Sequence, residues 1–283
     1  MNLFNIISEI EKVDPEIHER LNPRRAAIKN ITSFGSKVAV AAMPFALGTL
    51  FKKAYGQATS TVVDVLNFAL TLEHLEAGFY NKGATTSGLI PSADSAYIGF
   101  VTRDENAHVK FLQGAITASG GTPVGPATFD FTGGNNKGNG PFPTVFSSYA
   151  TFLAVAQVFE DTGVRAYKGQ APNLIGNQDI LTAALSIHAV EARHASAIRK
   201  LRHDLGHDTN IKPYIVSTAT LGNDTGVAAA NNNYKGEENV TQGGVNLVSA
   251  LKVSVGVATA SFDEPLSKED VTALLVGSFI VSN

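Results

Sequence analysis

The sequence predicts an all-α chain built around a four-helix bundle with one long crossover. Three observations carry that reading. From residue 60 onward, apolar residues recur at helical spacing in four separate stretches. Two short links and one long link, rich in Gly, Pro and Asn, join those stretches. The two helix pairs on either side of the long link also align with each other, glutamate on glutamate and histidine on histidine.

The 283 residues are enough to bury a sizeable core, and they divide at about 58 and 206. Formal charge is −3 and no long basic block occurs, so no nucleic-acid partner is expected. Cysteine and tryptophan are absent, which excludes disulfides, thiolate catalysis, zinc ribbons and cysteine-ligated iron–sulfur clusters. Any metal would have to be held by carboxylates and imidazoles.

Residues 1–58 read as an N-terminal segment distinct from the bundle. A polar stretch leads to "PRRAAIK" (23–29), then "VAVAAMPFALGTLF" (38–51), an apolar run of 14 residues. A membrane span needs ~20. Lys52 and Lys53 follow, then the small residues of "YGQA" (55–58). This order of basic, apolar and small regions is that of a signal peptide, and Arg24-Arg25 resembles a twin-arginine export signal. A periplasmic or cell-envelope location is expected from it. The alternative is an ordinary N-terminal helix in a cytoplasmic protein. Membrane association through this segment and a homo-oligomeric state are both compatible with the sequence.

The first bundle helix covers 60–82 and stops at Gly83. Ser92 or Ser95 caps a second helix, which ends near Ser119 at Gly120-Gly121. The stretch 120–144 has neither helical nor strand period, and at 25 residues can carry the chain back along the bundle. A third helix covers roughly 145–168, ended by Gly169 and Pro172. Asn177 caps a fourth, roughly 178–205, stopped by Gly206.

Glu73 and Tyr80 of helix 1 align with Glu160 and Tyr167 of helix 3 at an offset of 87. Helix 2 aligns with helix 4 at an offset of 86, placing Glu105 on Glu191 and His108 on His194. This internal repeat singles out four glutamates and two histidines. Residues seven apart share a helix stripe. Glu73 has Leu66 and Tyr80 at those positions, Glu105 has Ile98 and Leu112, Glu160 has Leu153 and Tyr167, and Glu191 has Ala184 and Ile198. All four carboxylates therefore lie on apolar stripes, with His108 and His194 one turn on. Arg103, Arg165 and Arg193 are off these stripes, and no lysine is on them. Burying an unpaired carboxylate costs on the order of several kcal/mol. Protonation or metal binding remains. Two divalent ions would balance four carboxylates, and one Glu from each of two helices plus Glu-x-x-His from each of the others is the dinuclear-site pattern of such bundles.

The stretches "LTLEHLEAGFYNKG", "DENAHVKFLQGAI", "VFEDTGVRAYKGQ" and "IHAVEARHASAIRKLR", with "FDEPLSKEDV" near the C-terminus, resemble the ferritin-like superfamily. More narrowly, they resemble the ferritin-like domain family that includes plant desiccation-related proteins and many uncharacterised bacterial proteins. The resemblance covers about 60–205, with a weaker match at 262–280. It implies that Glu105 and Glu191 bridge two metals, that Glu73 and Glu160 are terminal carboxylates, and that His108 and His194 are imidazole ligands. Glu76 is a rival to Glu73, but the repeat places Gly163 opposite it. Tyr80 and Tyr167 are read as core residues rather than electron carriers, His188 as either a residue behind the ligands or an ordinary helix imidazole, and His74 as facing another side. Two iron ions are the expected cofactor, with manganese as the alternative. Dioxygen or peroxide would be the small-molecule substrate, in ferrous-iron oxidation, peroxide removal or catalase-like chemistry. The competing class is a non-enzymatic metal-binding or stress-related envelope protein.

The long link and the extension 207–283 depart from a compact cage-forming ferritin, and without cysteine there is no rubredoxin-type module. Up to 262 the extension reads as irregular, with "VNLVSALKVSVGVA" (245–258) as strand or helix. Ser267 then caps a terminal helix, with Asp270 in the capping-box position. This extension is expected to cover the bundle, or to act as a lid.

Overall fold

A computed structural model describes residues 60–207, 210–217, 223 and 225–282. The segment 1–58, read above as an export signal, lies outside the described residues. The four apolar-periodic stretches form α1 (Ser60–Thr85), α2 (Ser95–Ala118), α3 (Tyr149–Gln170) and α4 (Gln178–Asp204). None contains a proline, whose ring and missing N–H would break the backbone ladder. α1 lies along α2 and α3 along α4, while α1 also touches α3 and α2 touches α4. Among the described residues no helix is long and apolar enough to cross a membrane.

The helix ends follow local chemistry where the backbone allows it. Asn177 accepts from the Ile180 amide at 3.3 Å and Ser148 from that of Thr151 at 3.4 Å. Gly120 (φ +78°) and Gly206 (φ +71°) supply the left-handed backbone after α2 and α4. The start of α2 differs from the expected serine cap. Asp94 takes the cap position with helical backbone and makes no side-chain cap bond, and the Ser95 hydroxyl donates to the Ser92 carbonyl instead. The turn closed by the Asp94 amide on the Pro91 carbonyl already winds the chain, leaving no extended residue to fold its side chain back.

Gly83 and Gly169, read as helix stops, are instead inside α1 and α3. Their role is close approach. A Cβ at Gly83 would lie 2.3 Å from Cε2 of Phe152, and one at Gly169 would lie 1.9 Å from the Leu266 carbonyl oxygen. Absent side chains thus let α3 and the C-terminal extension close on their neighbours.

The long link retraces α1 from its first turns to its last. The backbone at Gly121 lies over Val63, and Asn67 bonds both the Thr122 carbonyl and the Val124 amide. His74 meets the Val124 carbonyl at 3.2 Å, Phe129 and Phe131 lie over Gly78, and Lys82 sits above the rings of Phe131 and Phe146. At 1.5 Å per residue, Val63 to Lys82 spans roughly 30 Å. The end of the chain fastens the link: the Asp130 amide donates to the Phe279 carbonyl, and the Val281 amide to that of Thr128, both at 2.9 Å.

The extension has more regular structure than its composition suggests. It holds α5 (Ala228–Asn231), a hairpin of β1 (Thr241–Gln242) and β2 (Val245–Asn246), then α6 (Leu247–Leu251), α7 (Val255–Ala260) and α8 (Lys268–Leu275). Gly243 and Gly244, both at positive φ, make the hairpin turn, so "VNLVSALKVSVGVA" is strand first and helix after. Ser267 caps α8, accepting from the Asp270 amide at 3.0 Å.

This extension turns α3 into a central helix: every residue from Phe152 to Tyr167 is buried. Gln157, Asp161 and Arg165 form a polar stripe on α3 at i, i+4 and i+8. Arg199 grips Asp161 through two bonds of 3.1 and 2.5 Å, and the Tyr234 hydroxyl donates to the same carboxylate at 2.6 Å. Gln157 donates to the Tyr234 oxygen at 2.8 Å, while Arg165 pairs with Glu237 at 2.8 Å and donates to the carbonyls of Asn233, Lys235 and Glu264. Arginines with this many acceptors tolerate burial, since their donors are met.

The glycine assignments have a direct test. Gly83→Ala forces a methyl into the Phe152 ring and should destabilise by about 1–3 kcal/mol. Gly99→Ala, on the exposed face of α2 with nothing within 4 Å, should stabilise by roughly 0.4–1 kcal/mol. Urea unfolding of the two variants beside the parent chain reads the opposite signs.

Candidate metal centre

Each helix of the bundle delivers an acid to one buried point. Glu73 of α1, Glu105 of α2, Glu160 of α3 and Glu191 of α4 are all fully buried, and His108 and His194 nearly so. Their ligand atoms form two groups, each with every member within 4.8 Å of the others: Glu73, Glu105, His108 and Glu191 in one, Glu105, Glu160, Glu191 and His194 in the other. Glu105 and Glu191 belong to both. The six residues singled out in the sequence are therefore brought together.

The contacts inside the cluster are short, and one imidazole nitrogen, His108 Nδ1, shares hydrogen bonds with Glu73 and Glu105. Nδ1 of His108 lies 3.1 Å from Glu73 and from Glu105 and 3.2 Å from Glu191. Nδ1 of His194 lies 2.8 Å from Glu105 and 3.4 Å from Glu160. Even so, Glu105 Oε1, Glu160 Oε2, both Glu191 oxygens and His194 Nδ1 are buried with no hydrogen-bond partner. Buried polar atoms are rarely left so. Lone pairs converging without donors are the environment a cation fills, and the donor set is the carboxylate–imidazole mixture that hard to borderline divalent metals accept. The residues present fit a pair of metal ions.

Two features missed by the sequence reading tighten the site. Glu76 is a fifth buried carboxylate, not just a rival to Glu73. It points toward the gap left by Gly163, where a Cβ would come 3.1 Å from Glu191 Oε2 and 3.3 Å from Glu76 Oε1. The repeat signalled this pairing, with glycine in one half where the other has glutamate. Tyr80 and Tyr167 are the second feature. Read as core residues, they are buried, but each also reaches across to the other half: the Tyr80 hydroxyl donates to Glu160 Oε1, and that of Tyr167 to Glu73 Oε1. Because α1 and α3 run antiparallel, a tyrosine two turns past its own glutamate lies level with the other helix's glutamate.

Asp104, next to Glu105 and partly exposed, lies 3.5 Å from Nε2 of His194 and backs that imidazole from the outside. His188 is half-buried and hydrogen-bonds the Val164 backbone, so it is not part of the cluster. His74 meets the long link, away from the site.

Electrostatics follow from crowding. Burial and then Glu191 push Glu105 up to about 7, and burial and then Glu73 push Glu191 up to about 8. Burial, and then the four neighbouring glutamates, push Glu76 well above the usual carboxylate range. Burial opposes charge on the histidines, but Glu73, Glu105 and Glu191 outweigh it at His108, and Glu160, Asp104 and Glu105 at His194; both rise. At Glu73 the His108 charge and its hydrogen bonds outweigh burial and lower the pKa.

Comparison with known families gives a match to a model described as a ferritin-like domain, over residues 61–204, just more than half of the chain. No curated protein matches.

These shifts set a pH dependence for the metal-free chain. Glu105 and Glu191 keep protons in the folded state up to about 7 and about 8, whereas unfolded carboxylates release them near 4.5. Their contribution to stability is full below that lower value and is lost as pH rises through 7 and 8. The raised histidines act in the same direction above 6.5. The melting temperature of chelator-treated protein should therefore fall between pH 5 and 8, and divalent metal added at pH 8 should recover it. A melting temperature that rises across that interval without metal contradicts the assignment.

Proposed function

The chain belongs to the ferritin-like domain family, and we propose that its buried cluster holds two metal ions, iron or else manganese, for redox chemistry with dioxygen or peroxide. The observation supporting this most directly is that the two ligand groups share Glu105 and Glu191 and no other residue. When bound, such a pair supplies one electron from each ion to a two-electron acceptor.

The chain's own side chains divide the work. Glu105 and Glu191 span the two positions. Glu73 with His108 completes one, and Glu160 with His194 the other. The crossed tyrosine bonds occupy Oε1 of Glu160 and of Glu73, leaving Oε2 of each facing the cluster. Asp104 holds the outer nitrogen of His194, fixing which ring nitrogen faces inward. Four ionised carboxylates balance two divalent ions, and their charge favours higher oxidation states. The walls around the cluster are buried apolar side chains, which keep bulk water out and strengthen every charge interaction inside.

Metal analysis of protein purified from iron- and manganese-replete cultures tests the reading. About two metal ions per chain are expected. Glu105→Gln and Glu191→Gln should lose metal from both positions, and Glu160→Gln from one. Anomalous scattering at the iron and manganese edges identifies the element. Oxygen uptake on ferrous addition, or peroxide breakdown, separates the redox enzyme from a metal-binding scaffold. A metal-free chain whose variants melt as the parent does would defeat the proposal.

A further inference from the structure

Leu275, the last residue of α8, lines three cavities at once. An outer one of about 310 Å³ lies among α3, the long link and the chain end, with the exposed Asn139 and Pro141 at its mouth. A second, of about 390 Å³, lies between α1 and α8. An inner one of about 10 Å³ is bordered by Glu76 and Gly163 and shares a wall with each. Thr162 and Leu275 part it from the first, Leu72 and Leu275 from the second.

The inner cavity adjoins the ligand cluster. A Cβ at Gly163 would stand 3.1 Å from Glu191 Oε2, so the space of one absent side chain parts the cavity from that carboxylate. Glu76 is the one glutamate of the five whose surface is not fully closed, at 3% exposure against 0% for the others. Among the described residues its carboxyl has no hydrogen-bond partner. The volume is that of about one water, which would find the Glu76 carboxyl and the Thr162 hydroxyl as polar partners. Polar groups continue outward, since Asn139, Asn233 and Ser278 line the outer cavity with Thr162. No charged side chain lines that cavity. An ion passing through it would shed hydration without a countercharge, whereas a small neutral molecule would exchange its hydrogen bonds.

α8 is lightly held. Of its eight residues only Val271 and Leu275 are buried, and so short a helix has little stability of its own. Elements with few buried apolar contacts open locally at low cost. Leu275 also lies outside the matched region 61–204, so this wall belongs to the chain's own extension.

Resting on the reading of the cluster as a metal centre, we propose that Leu275 is the door of an entrance from the outer cavity to that centre, one that admits small uncharged hydrogen-bonding molecules and meets them first with Glu76. A tilt of α8 that lifts Leu275 joins the two cavities past Thr162.

The chain has no cysteine, so an engineered thiol reports arrival in the inner cavity without background. Leu75 lines that cavity and neither outer one, and Leu70, also buried on α1, lines none of the three. In the metal-free full chain, the uncharged reagent methyl methanethiosulfonate should label Leu75→Cys about tenfold faster than Leu70→Cys, read by mass spectrometry. Its anionic sulfonatoethyl analogue should show no such difference. Relative to Leu70→Cys, Leu275→Ala should speed the labelling of Leu75→Cys about threefold and Leu275→Trp should slow it as much, two door variants so that the misfolding of one does not end the test. Equal labelling at the two positions, or rates indifferent to Leu275, overturns the entrance and leaves the metal centre standing. Labelling of Leu75→Cys by the anion at the same rate overturns the selection for uncharged molecules. The expected labelling in a chain that takes up no metal overturns the role as an entrance to a centre, and metal content per chain tells the two failures apart.

Discussion

Five carboxylates buried together, with two imidazoles as the basic groups that reach them, are the constraint the rest of the structure answers to. Left ionised and unpaired, each would cost on the order of several kcal/mol. The bundle limits that cost in several ways. Burial, and then repulsion from the neighbouring glutamates, raise the Glu76 pKa well above the usual carboxylate range, which disfavours a fifth negative charge. Tyr80 and Tyr167 each give a hydroxyl to the other half's glutamate, which also ties α1 to α3 across the site. Gly163 leaves room where Glu76 and Glu191 converge. What these devices leave unanswered is a set of donorless oxygens at the centre, and that remainder is the shape of a cation site.

α3 answers to a second demand. It presents Glu160 inward and Gln157, Asp161 and Arg165 outward, so a solvated outer face would be the simple expectation. Instead the extension covers it, and the cover is made by polar groups: Tyr234 on Asp161 and Gln157, and Glu237 with three carbonyls on Arg165. Buried charges of this kind do not add much net stability over an apolar interface. They do demand one arrangement, because any shift leaves a charge unmet. α3 is thereby held in register, and with it Glu160 and Tyr167. Side chains that converge on one buried point need this kind of support from behind.

Much of this was legible in the sequence, but unevenly. The six clustered residues were found because a glutamate on an apolar stripe is anomalous, and an anomaly repeated in register is hard to attribute to a solvated face. Gly83 and Gly169 misled because glycine has two uses, ending a helix and admitting a neighbour, and sequence shows only the residue. The tyrosines are core residues as expected, but their glutamate partners escaped notice for a related reason. Measured along its own helix, Tyr80 is two turns from Glu73; its partner is on another helix, and no distance along the chain reports that. Ser95 sits where a cap belongs, yet the preceding turn had already set the backbone.

The division has a physical basis. Which side chains share a face follows from the 3.6-residue turn, a local property of the backbone, so the chain alone determined the helices, the inward stripes and the repeated set of glutamates and histidines. Which faces meet is settled by contacts between residues far apart in sequence. The crossed Tyr–Glu bonds, the convergence of Glu76 on the gap at Gly163, and the polar seam between α3 and the extension all depend on how helices cross and where small residues let them approach. Only the tertiary structure decided those, because packing is a property of pairs of surfaces and a sequence lists one surface at a time.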